Sequence, residues 1–240
     1  MKYKSKNIAI VGFGNIGSYF YKTLIKNKKT ISFKTGVIPN VKYISSKNLN
    51  NKRKIKIQKS KWVKNPIDLT KYKDVDVIVE LIGGADGIAK RLVFTALKNK
   101  IHVITTNKSL IAKHGDRLAF IAEKNKVNLE YEASVAGGVP IIRSIKEGLI
   151  SNKINKICGI LIGTTNYILS AMEHSGKNFS EVLNNAKKLG FAESNPISDL
   201  SGNDAADKIK ILSSIAFNRT ISKNKILTEG IQHLDQTDIT

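Results

Sequence analysis

The sequence has a single cysteine, Cys158, among its 240 residues. One cysteine excludes an internal disulfide bond and fits a reducing compartment, so the sequence predicts a cytoplasmic protein. There is also no run approaching the roughly 20 apolar residues that a membrane-spanning helix needs. The N-terminal "MKYKSKNIAIVG" has too short an apolar stretch for a secretory signal and no cleavage site after it. We therefore expect no membrane partner.

Arginine is scarce as well: Lys and Arg together number 40, and only five of them are arginine. The formal net charge of +21 invites a nucleic-acid interpretation. Sequence-specific readers of nucleic acid, however, usually rely on arginine forks or stacked aromatic rings. Here the lysines are spread along the chain, with one dense patch at 50–61. We interpret the charge as solvated surface and expect no nucleic-acid partner. A lysine-rich nucleic-acid-binding module stays the alternative from another class.

What the sequence does have is an alternation of strand-like and helix-like patterns over its first half. Hydrophobic residues make up 41 % of the chain, enough for a buried core. Strands alternating with helices predict βαβ units and a parallel sheet, hence an α/β fold. The predicted strands of this half are 8–11, 41–45, 75–83, 102–106 and 127–134.

The pattern changes after "SVAGGVP" at 134–140, where Pro140 suits the first turn of a helix. We therefore divide the chain into one domain over 1–137 and a second over 138–240. In the second domain the pattern predicts a long strand over 154–163 and helices over 166–173, 180–189 and 203–217.

The segment "NIAIVGFGNIGSYFYKTL" joins a predicted strand to an amphipathic helix through three glycines. Gly12 permits a tight turn, Gly14 leaves room for a pyrophosphate, and Gly17 allows close packing of helix on strand. The free N–H groups of the helix N-terminus favour phosphate. This context predicts a dinucleotide-binding turn, and a purely structural turn is the alternative.

The end of the second predicted strand bears on the choice between NAD and NADP. An NAD site usually has an acidic residue there to hold the ribose hydroxyls. The segment "VKYISSKNLNNKRK" has none, and instead offers Ser45, Lys47 and Arg53. These residues suit a 2′-phosphate, so we expect NADP, with NAD possible; ordinary surface lysines are the alternative interpretation.

Two further places concentrate polar residues. Lys108 directly follows a predicted buried strand, and the carboxyl ends of such strands face the ligand crevice. In 190–212, four carboxylates precede or accompany Lys208, which lies four residues after Asp204. This spacing fits either an exposed ion pair worth roughly 0.2–0.5 kcal/mol or a pocket in which carboxylates hold a substrate ammonium and a lysine moves a proton.

Several of these stretches, in this order, resemble the homoserine dehydrogenase family over nearly the whole chain. They are "GFGNIG", "VIVELIGG", "TTNK", "EASVAGGVPII", "GILIGTTNYIL" and "LGFAESNPISDLSGNDAADK". The resemblance implies a Rossmann-type doubly wound nucleotide domain followed by an α+β catalytic and dimerisation domain. It also implies NAD(P)-dependent interconversion of L-aspartate 4-semialdehyde and L-homoserine in threonine, methionine and isoleucine biosynthesis, and a homodimer. Family members continue past residue 240, so the resemblance implies an incomplete second domain and no regulatory ACT domain.

The resemblance also assigns roles to residues. It implies Lys208 as general acid/base, with Lys108 beside cofactor and substrate. The implied substrate-binding residues are Glu193, Asp204, Asp199, Gly163 and Thr164. The implied cofactor-binding residues are Gly12, Phe13, Gly14, Asn15, Ile16, Gly17, Ser45, Lys47, Arg53, Gly83, Lys108 and Gly190. A monovalent cation, usually sodium, is implied at the Glu132 carboxylate and the carbonyl oxygens of Val135, Gly137 and Val139, and a plain hinge turn is the alternative there.

Phe191 departs from the family, which often has tyrosine at this position. The other enzyme considered is a different NADP-dependent oxidoreductase acting on an amino-acid aldehyde. A phosphorylating semialdehyde dehydrogenase needs a cysteine nucleophile, and Cys158 is predicted to lie inside a strand. A catalytically inactive dinucleotide-binding protein is a further alternative.

Overall fold

A computed structural model describes residues 3–47, 55 and 57–239, and divides the chain into two units. The first unit is Met1–Val139 and the second is Pro140–Thr240. Among the described residues, no helix is long and apolar enough to span a membrane.

The described part of the first unit forms a five-stranded parallel sheet with the strand order β2-β1-β3-β4-β5. Its strands are β1 (Lys4–Val11), β2 (Val37–Ser45), β3 (Val77–Glu80), β4 (His102–Thr105) and β5 (Leu129–Glu130). Its helices are α1 (Asn15–Lys26), α2 (Lys28–Thr35), α3 (Gly87–Lys98) and α4 (Lys108–Lys124). The α/β class and the Rossmann-type parallel sheet predicted from the sequence are thereby confirmed.

Register brings the last residues of four strands into one row across the sheet. Val11 is paired with Ser45 on one side and with Glu80 on the other, and Glu80 is paired with Thr105. The carboxyl ends of these strands therefore lie side by side. The order of the sheet reverses between β1 and β3, and ligands of open α/β sheets bind outside such a switch point.

The core of the first unit lies against the sheet. One cluster contains Ile8, Ile10, Phe13, Ile44 and Val79, with α1 packed on it. The aromatic rings of Tyr21 and Trp62 meet the Phe13 ring edge to face at 5.8 and 5.7 Å between centroids. The strands alternate with helices that bury apolar side chains, as the near-continuous apolar runs of the sequence indicate.

The second unit is helical in its described residues. Its helices are α5 (Ile141–Arg143), which runs into a π-helical turn at Ser144–Gly148, α6 (Gly163–Ser175), α7 (Phe179–Leu189), α8 (Ile197–Leu200) and α9 (Asn203–Ala216). Helices α6 and α7 form a hairpin around Ile168, Met172, Val182 and Ala186. The helices predicted over 166–173, 180–189 and 203–217 correspond to α6, α7 and α9.

The strand predicted over 154–163 is wrong, because these residues run outside any strand in the structure. The backbone at Ile162 is extended (φ −133°, ψ 117°), but a strand also needs a hydrogen-bonded neighbour, and the described part of this unit offers none. Ile160 is accordingly 77 % exposed. Cys158 is exposed and not part of a strand, so its predicted place inside a strand is wrong and no longer argues against a cysteine nucleophile.

The extended segment predicted over 127–134 is also mostly wrong. Only Leu129–Glu130 joins the sheet, and Glu132–Ser134 forms a short 3-10 turn. Both the backbone N–H and the hydroxyl of Ser134 donate to the Tyr131 carbonyl oxygen, at 2.9 and 2.6 Å. These local hydrogen bonds compete with continuation of the strand.

Candidate active site

The three glycines of the turn after β1 differ in the space around them. Gly12 has φ +99°, and a Cβ atom there would lie 2.5 Å from the Leu81 carbonyl oxygen. A Cβ on Gly17 would overlap the Gly12 carbonyl oxygen. A Cβ on Gly14 would meet nothing within 4 Å. The protein itself therefore requires glycine at 12 and 17, whereas at 14 only a ligand would.

Helix α1 begins at Asn15, directly beyond Gly14, with no side chain capping its N-terminus and no acidic residue in its first turn. The first N–H groups of a helix have no partner within the helix and carry partial positive charge. The exposed Ile16 belongs to this first turn, whereas Phe13 is buried in the core. Gly14 and Asn15 thus stand at an open helix end suited to an anion.

The loops after β1, β2 and β3 meet at the switch point of the sheet. The Gly12 N–H donates to the Ser45 carbonyl oxygen at 2.9 Å, and the Leu81 N–H donates to the Val11 carbonyl oxygen at 2.7 Å. Gly83 has φ +77° in the loop after β3. The structure therefore brings together Gly12, Ser45 and Gly83 of the sequence-predicted cofactor set.

Ser45, the last residue of β2, is buried, and Lys47, two residues beyond the strand, is exposed. Arg53, the third residue predicted for a 2′-phosphate, lies outside the described residues. No carboxylate occurs at 45–47.

Lys108 is the first residue of α4, immediately after the carboxyl end of β4. Asn107 caps this helix: its side-chain oxygen accepts from the Leu110 N–H at 3.1 Å. Its side-chain amide donates to the Gly84 carbonyl oxygen at 2.8 Å. Lys108 thus lies at the same edge of the sheet as the glycine-rich turn, as its position after a strand indicated.

Sequence reasoning missed Glu80, the last residue of β3, which is entirely buried. Its Oε1 accepts from the N–H groups of Ile82 and Gly83 at 2.8 and 3.0 Å. Its Oε2 accepts from the Thr105 hydroxyl at 2.5 Å. The signal was a carboxylate inside the apolar run "VDVIVELIG", since a carboxylate is almost never fully buried without partners.

In the second unit, Lys208 and Asp204 form a largely buried ion pair on α9. The distance between Nζ and Oδ2 is 2.8 Å, and the two side chains are only 18 % and 10 % exposed. Lys208 Nζ also donates to the Leu161 carbonyl oxygen at 2.6 Å. The exposed ion pair considered from the spacing alone is therefore wrong, and the lysine is held at two points.

Burial lowers the pKa of Lys208 below its ordinary value, although the negative charge of Asp199 acts in the opposite direction. The Asp204 carboxylate must also favour the charged ammonium, because opposite charges in contact do so. A lowered pKa makes the ammonium a better proton donor than an ordinary lysine. The main cause of the lowered pKa is loss of hydration.

Thr164, at the start of α6, forms hydrogen bonds with two other segments of the second unit. Its hydroxyl lies 2.8 Å from Asp199 Oδ2 and 2.9 Å from the Phe191 carbonyl oxygen, so its one proton is shared between two acceptors. The exposed Phe191 ring stacks on Tyr167 with 4.5 Å between centroids. The structure thus brings Thr164 and Asp199 together through a hydrogen bond.

The remaining predicted residues of the second unit lie at helix ends or in loops. Gly163 is the first residue of α6, and Gly190 ends α7 with φ +80°. Glu193 is exposed in the loop between α7 and α8. Glycine at position 190 is therefore explained by the left-handed backbone conformation at the end of α7, without any contact to a ligand.

The residues predicted to hold a cation follow β5. Glu132 starts the 3-10 turn, Val135 is buried, and Val139 is exposed. The Val139 N–H donates to the Ala136 carbonyl oxygen at 2.8 Å, and Ala136 and Gly138 both have positive φ. One carboxylate followed by a tight reversal of carbonyl-bearing backbone fits the oxygen ligands of a hard cation. Clusters of three or more His, Cys, Asp or Glu side chains, a different donor set, are absent from the described residues.

A polar cleft of about 590 Å³ opens at the other edge of the sheet, near the amino ends of β1, β3 and β4. None of the sequence-predicted site residues lines this cleft. It is lined by Lys6, Thr70, Lys71, Tyr72, Lys73, Val75, Asp76, Asn99, Lys100, Ile101 and His102.

Both parts of the chain are similar to known proteins. Residues 12–132 match the family model "Homoserine dehydrogenase, NAD binding domain", and residues 140–240 match the model "Homoserine dehydrogenase". The homoserine dehydrogenase of Neisseria gonorrhoeae is 41 % identical over 236 residues, which are 98 % of this chain and 54 % of that protein. That of Bacillus subtilis is 37 % identical over the same shares of the two chains.

Among solved structures, a homoserine dehydrogenase from Thiobacillus denitrificans matches with a TM-score of 0.90 and 37 % identity, over 98 % of this chain and 54 % of that one. The chain thus spans about half the length of the curated relatives it matches. Both family models and the curated relatives lead to the same assignment: the chain belongs to the homoserine dehydrogenase family.

Proposed function

We propose that this chain serves the NADP-dependent interconversion of L-aspartate 4-semialdehyde and L-homoserine, a step in the biosynthesis of threonine, methionine and isoleucine. The observation that carries the proposal is the space at Gly14. A glycine that the protein's own packing does not require stands at the open N-terminus of α1, beside the switch point of the sheet. A dinucleotide pyrophosphate explains that glycine, because its oxygens approach the backbone where a side chain would stand.

In this proposal the first unit binds the cofactor. The N–H groups at the start of α1 hold the pyrophosphate, and Gly83 leaves the neighbouring loop accessible. Ser45, Lys47 and Arg53 favour a 2′-phosphate, because the end of β2 carries no carboxylate at 45–47 for a free ribose hydroxyl. When bound, the nicotinamide supplies the hydride.

The second unit supplies the acid/base group and the carboxylates that act on the substrate. Lys208 donates a proton to the oxygen of the aldehyde during reduction and takes it back during oxidation. Its two contacts, to Asp204 and to the Leu161 carbonyl oxygen, fix the position of Nζ. Asp204, Asp199 and Glu193 hold the substrate ammonium, with Asp199 oriented by Thr164. Lys108 stabilises negative charge on the substrate oxygen.

Three further expectations belong to the same proposal. A monovalent cation, sodium, binds the Glu132 carboxylate and the carbonyl oxygens of Val135, Gly137 and Val139. The protein acts as a homodimer in the cytoplasm. Replacing sodium by choline at constant ionic strength tests the cation: activity that falls with sodium removal supports the site, and unchanged activity contradicts it.

The experiment that tests the proposed function is reduction of L-aspartate 4-semialdehyde by the full natural polypeptide that contains these residues. We expect turnover with NADPH, and a lower kcat/KM with NADH. Lys208→Ala should lower kcat by about 10²–10⁴-fold, the usual contribution of a positioned acid or base, with little change in cofactor Kd. Lys177→Ala, in the loop after α6, is the matched control and should behave as wild type. Absence of turnover by the wild type would overturn the proposal.

A further inference from the structure

Burial of Glu80 carries a cost in desolvation free energy. The side chain has no exposed surface, and an ionised carboxylate is expensive to remove from water. Three donors compensate for that loss: two backbone N–H groups of the following loop and the Thr105 hydroxyl. An apolar side chain would fill the same space without this requirement, so the carboxylate must serve something other than packing.

The hydrogen bonds continue from Glu80 to the beginning of α4. Thr105 Oγ1, which donates to Glu80, accepts from the Asn107 N–H at 3.0 Å. Asn107 in turn caps α4 and donates its side-chain amide to the Gly84 carbonyl oxygen. Glu80, Thr105, Asn107 and the loop 81–84 therefore form a closed ring of hydrogen bonds, and Lys108 is the residue that follows it.

The same ring touches the glycine-rich turn. The Leu81 N–H donates to the Val11 carbonyl oxygen, and the Leu81 carbonyl oxygen excludes a Cβ at Gly12. Val11, Glu80 and Thr105 are paired in one row of the sheet, so the ring adjoins the strand end before the glycine-rich turn through the backbone of Leu81. A displacement of α4 relative to the glycine-rich turn would therefore strain either this ring or the hydrogen bond from the Leu81 N–H to the Val11 carbonyl oxygen.

We propose that Glu80, acting through Thr105, is a positioning residue that fixes Lys108 relative to the cofactor-binding turn. The inference rests on the proposed function and deepens it, because it names what holds Lys108 in place. A shift of about 1 Å at a catalytic group can cost on the order of 100-fold in rate. Loss of the ring should therefore lower kcat through Lys108, while the sheet below it persists.

The test is a double-mutant cycle between Thr105→Val and Lys108→Met in the full natural polypeptide. Valine keeps the shape of threonine but removes the hydroxyl that joins Glu80 to the Asn107 N–H. We expect Thr105→Val to lower kcat about 10–100-fold per folded molecule, and Thr105→Ser, which restores the hydroxyl, to remain within about 3-fold of wild type. In the Lys108→Met background, Thr105→Val should have almost no further effect on kcat.

Each result has a definite consequence. If the two substitutions lower kcat independently, so that their effects multiply, Glu80 and Thr105 do not act through Lys108 and the inference is overturned. Thr105→Val that melts at a lower temperature but keeps its kcat per folded molecule shows a structural role only, and also overturns it. A wild type without activity would overturn the proposed function and this inference with it, whereas an active wild type with an additive cycle overturns the inference alone.

Discussion

Two glycines of the glycine-rich turn allow an effect on folding stability to be distinguished from an effect on cofactor binding. We compare Gly17→Ala with Gly14→Ala. At 17 the new methyl group would overlap the Gly12 carbonyl oxygen, which is backbone and has little freedom to move. At 14 the methyl group enters open space, and φ of −83° is acceptable to alanine.

The magnitudes follow from these two surroundings. Forcing an extra methyl group into a packed region costs about 1–3 kcal/mol. Gly17→Ala should lose about 2 kcal/mol, which lowers Tm by roughly 4–8 °C in a protein of this size. Gly14→Ala changes only an N-cap residue, so it should lose about 0.5 kcal/mol. Its methyl group stands where the pyrophosphate approaches, and should weaken NADPH binding by at least about 10-fold, or 1.4 kcal/mol.

The assay is thermal melting of both variants together with calorimetric titration of each with NADPH. Gly148→Ala is the matched control, since its methyl group also meets nothing within 4 Å but lies in the second unit. It should bind NADPH as the wild type does. The reasoning fails if Gly14→Ala binds NADPH with wild-type affinity, or if Gly14→Ala and Gly17→Ala lose the same stability.

Two further predictions concern titration. Burial lowers the pKa of Lys208 below 10.5, and reduction needs the ammonium form of this lysine. As the pH increases through that lowered pKa, kcat for reduction should therefore fall and kcat for oxidation should rise. Profiles of kcat against pH in both directions measure this, and a decrease at high pH that persists in Lys208→Arg would contradict it. Burial raises the pKa of Asp76, but the Lys6 ammonium and the Asn7 N–H outweigh this effect and hold the pKa below 3.8. The ionised carboxylate therefore stabilises the fold above pH 3.8, and this stabilisation is lost as the pH falls through the lowered pKa. Asp76→Asn should therefore cost about 1–2 kcal/mol at pH 7 and progressively less as the pH falls below 3.8, by urea unfolding at pH 7 and at a series of acidic pH values. A cost that does not change with pH would refute the assignment.

The sheet of the first unit could be predicted because its signals are local. A buried parallel strand is a short apolar run, and "VDVIVELIG" and "HVITT" show it without tertiary information. The steric roles of Gly12 and Gly17 followed from their spacing between a strand and a helix. The helices of the second unit were predicted for the same reason, since their apolar faces recur with helical periodicity.

The strand predicted over 154–163 shows where local signals end. The residues around Ile160 have the composition of a strand, and the backbone at Ile162 is extended. A strand, however, is defined by hydrogen bonds to another segment, and no pattern within ten residues specifies that partner. The spacing of Asp204 and Lys208 has the same limit. It predicted their contact but did not decide whether the pair is exposed or buried, which depends on residues such as Leu161, far away in sequence.

Glu80 was missed because its role depends on register. In the sequence it is one polar residue at the end of an apolar run, and 25 residues separate it from Thr105. Only the pairing of β3 with β4 places the two side chains on the same face of the sheet, where the hydroxyl can reach the carboxylate. The general lesson is a physical one: a lone carboxylate in a buried run needs donors, and in a parallel sheet the donors nearest to a strand end are the following loop and the last residue of the adjacent strand. In the observed register that rule gives Ile82, Gly83 and Thr105, and the hydrogen bond from the Asn107 N–H to Thr105 Oγ1 leads from there to the beginning of α4.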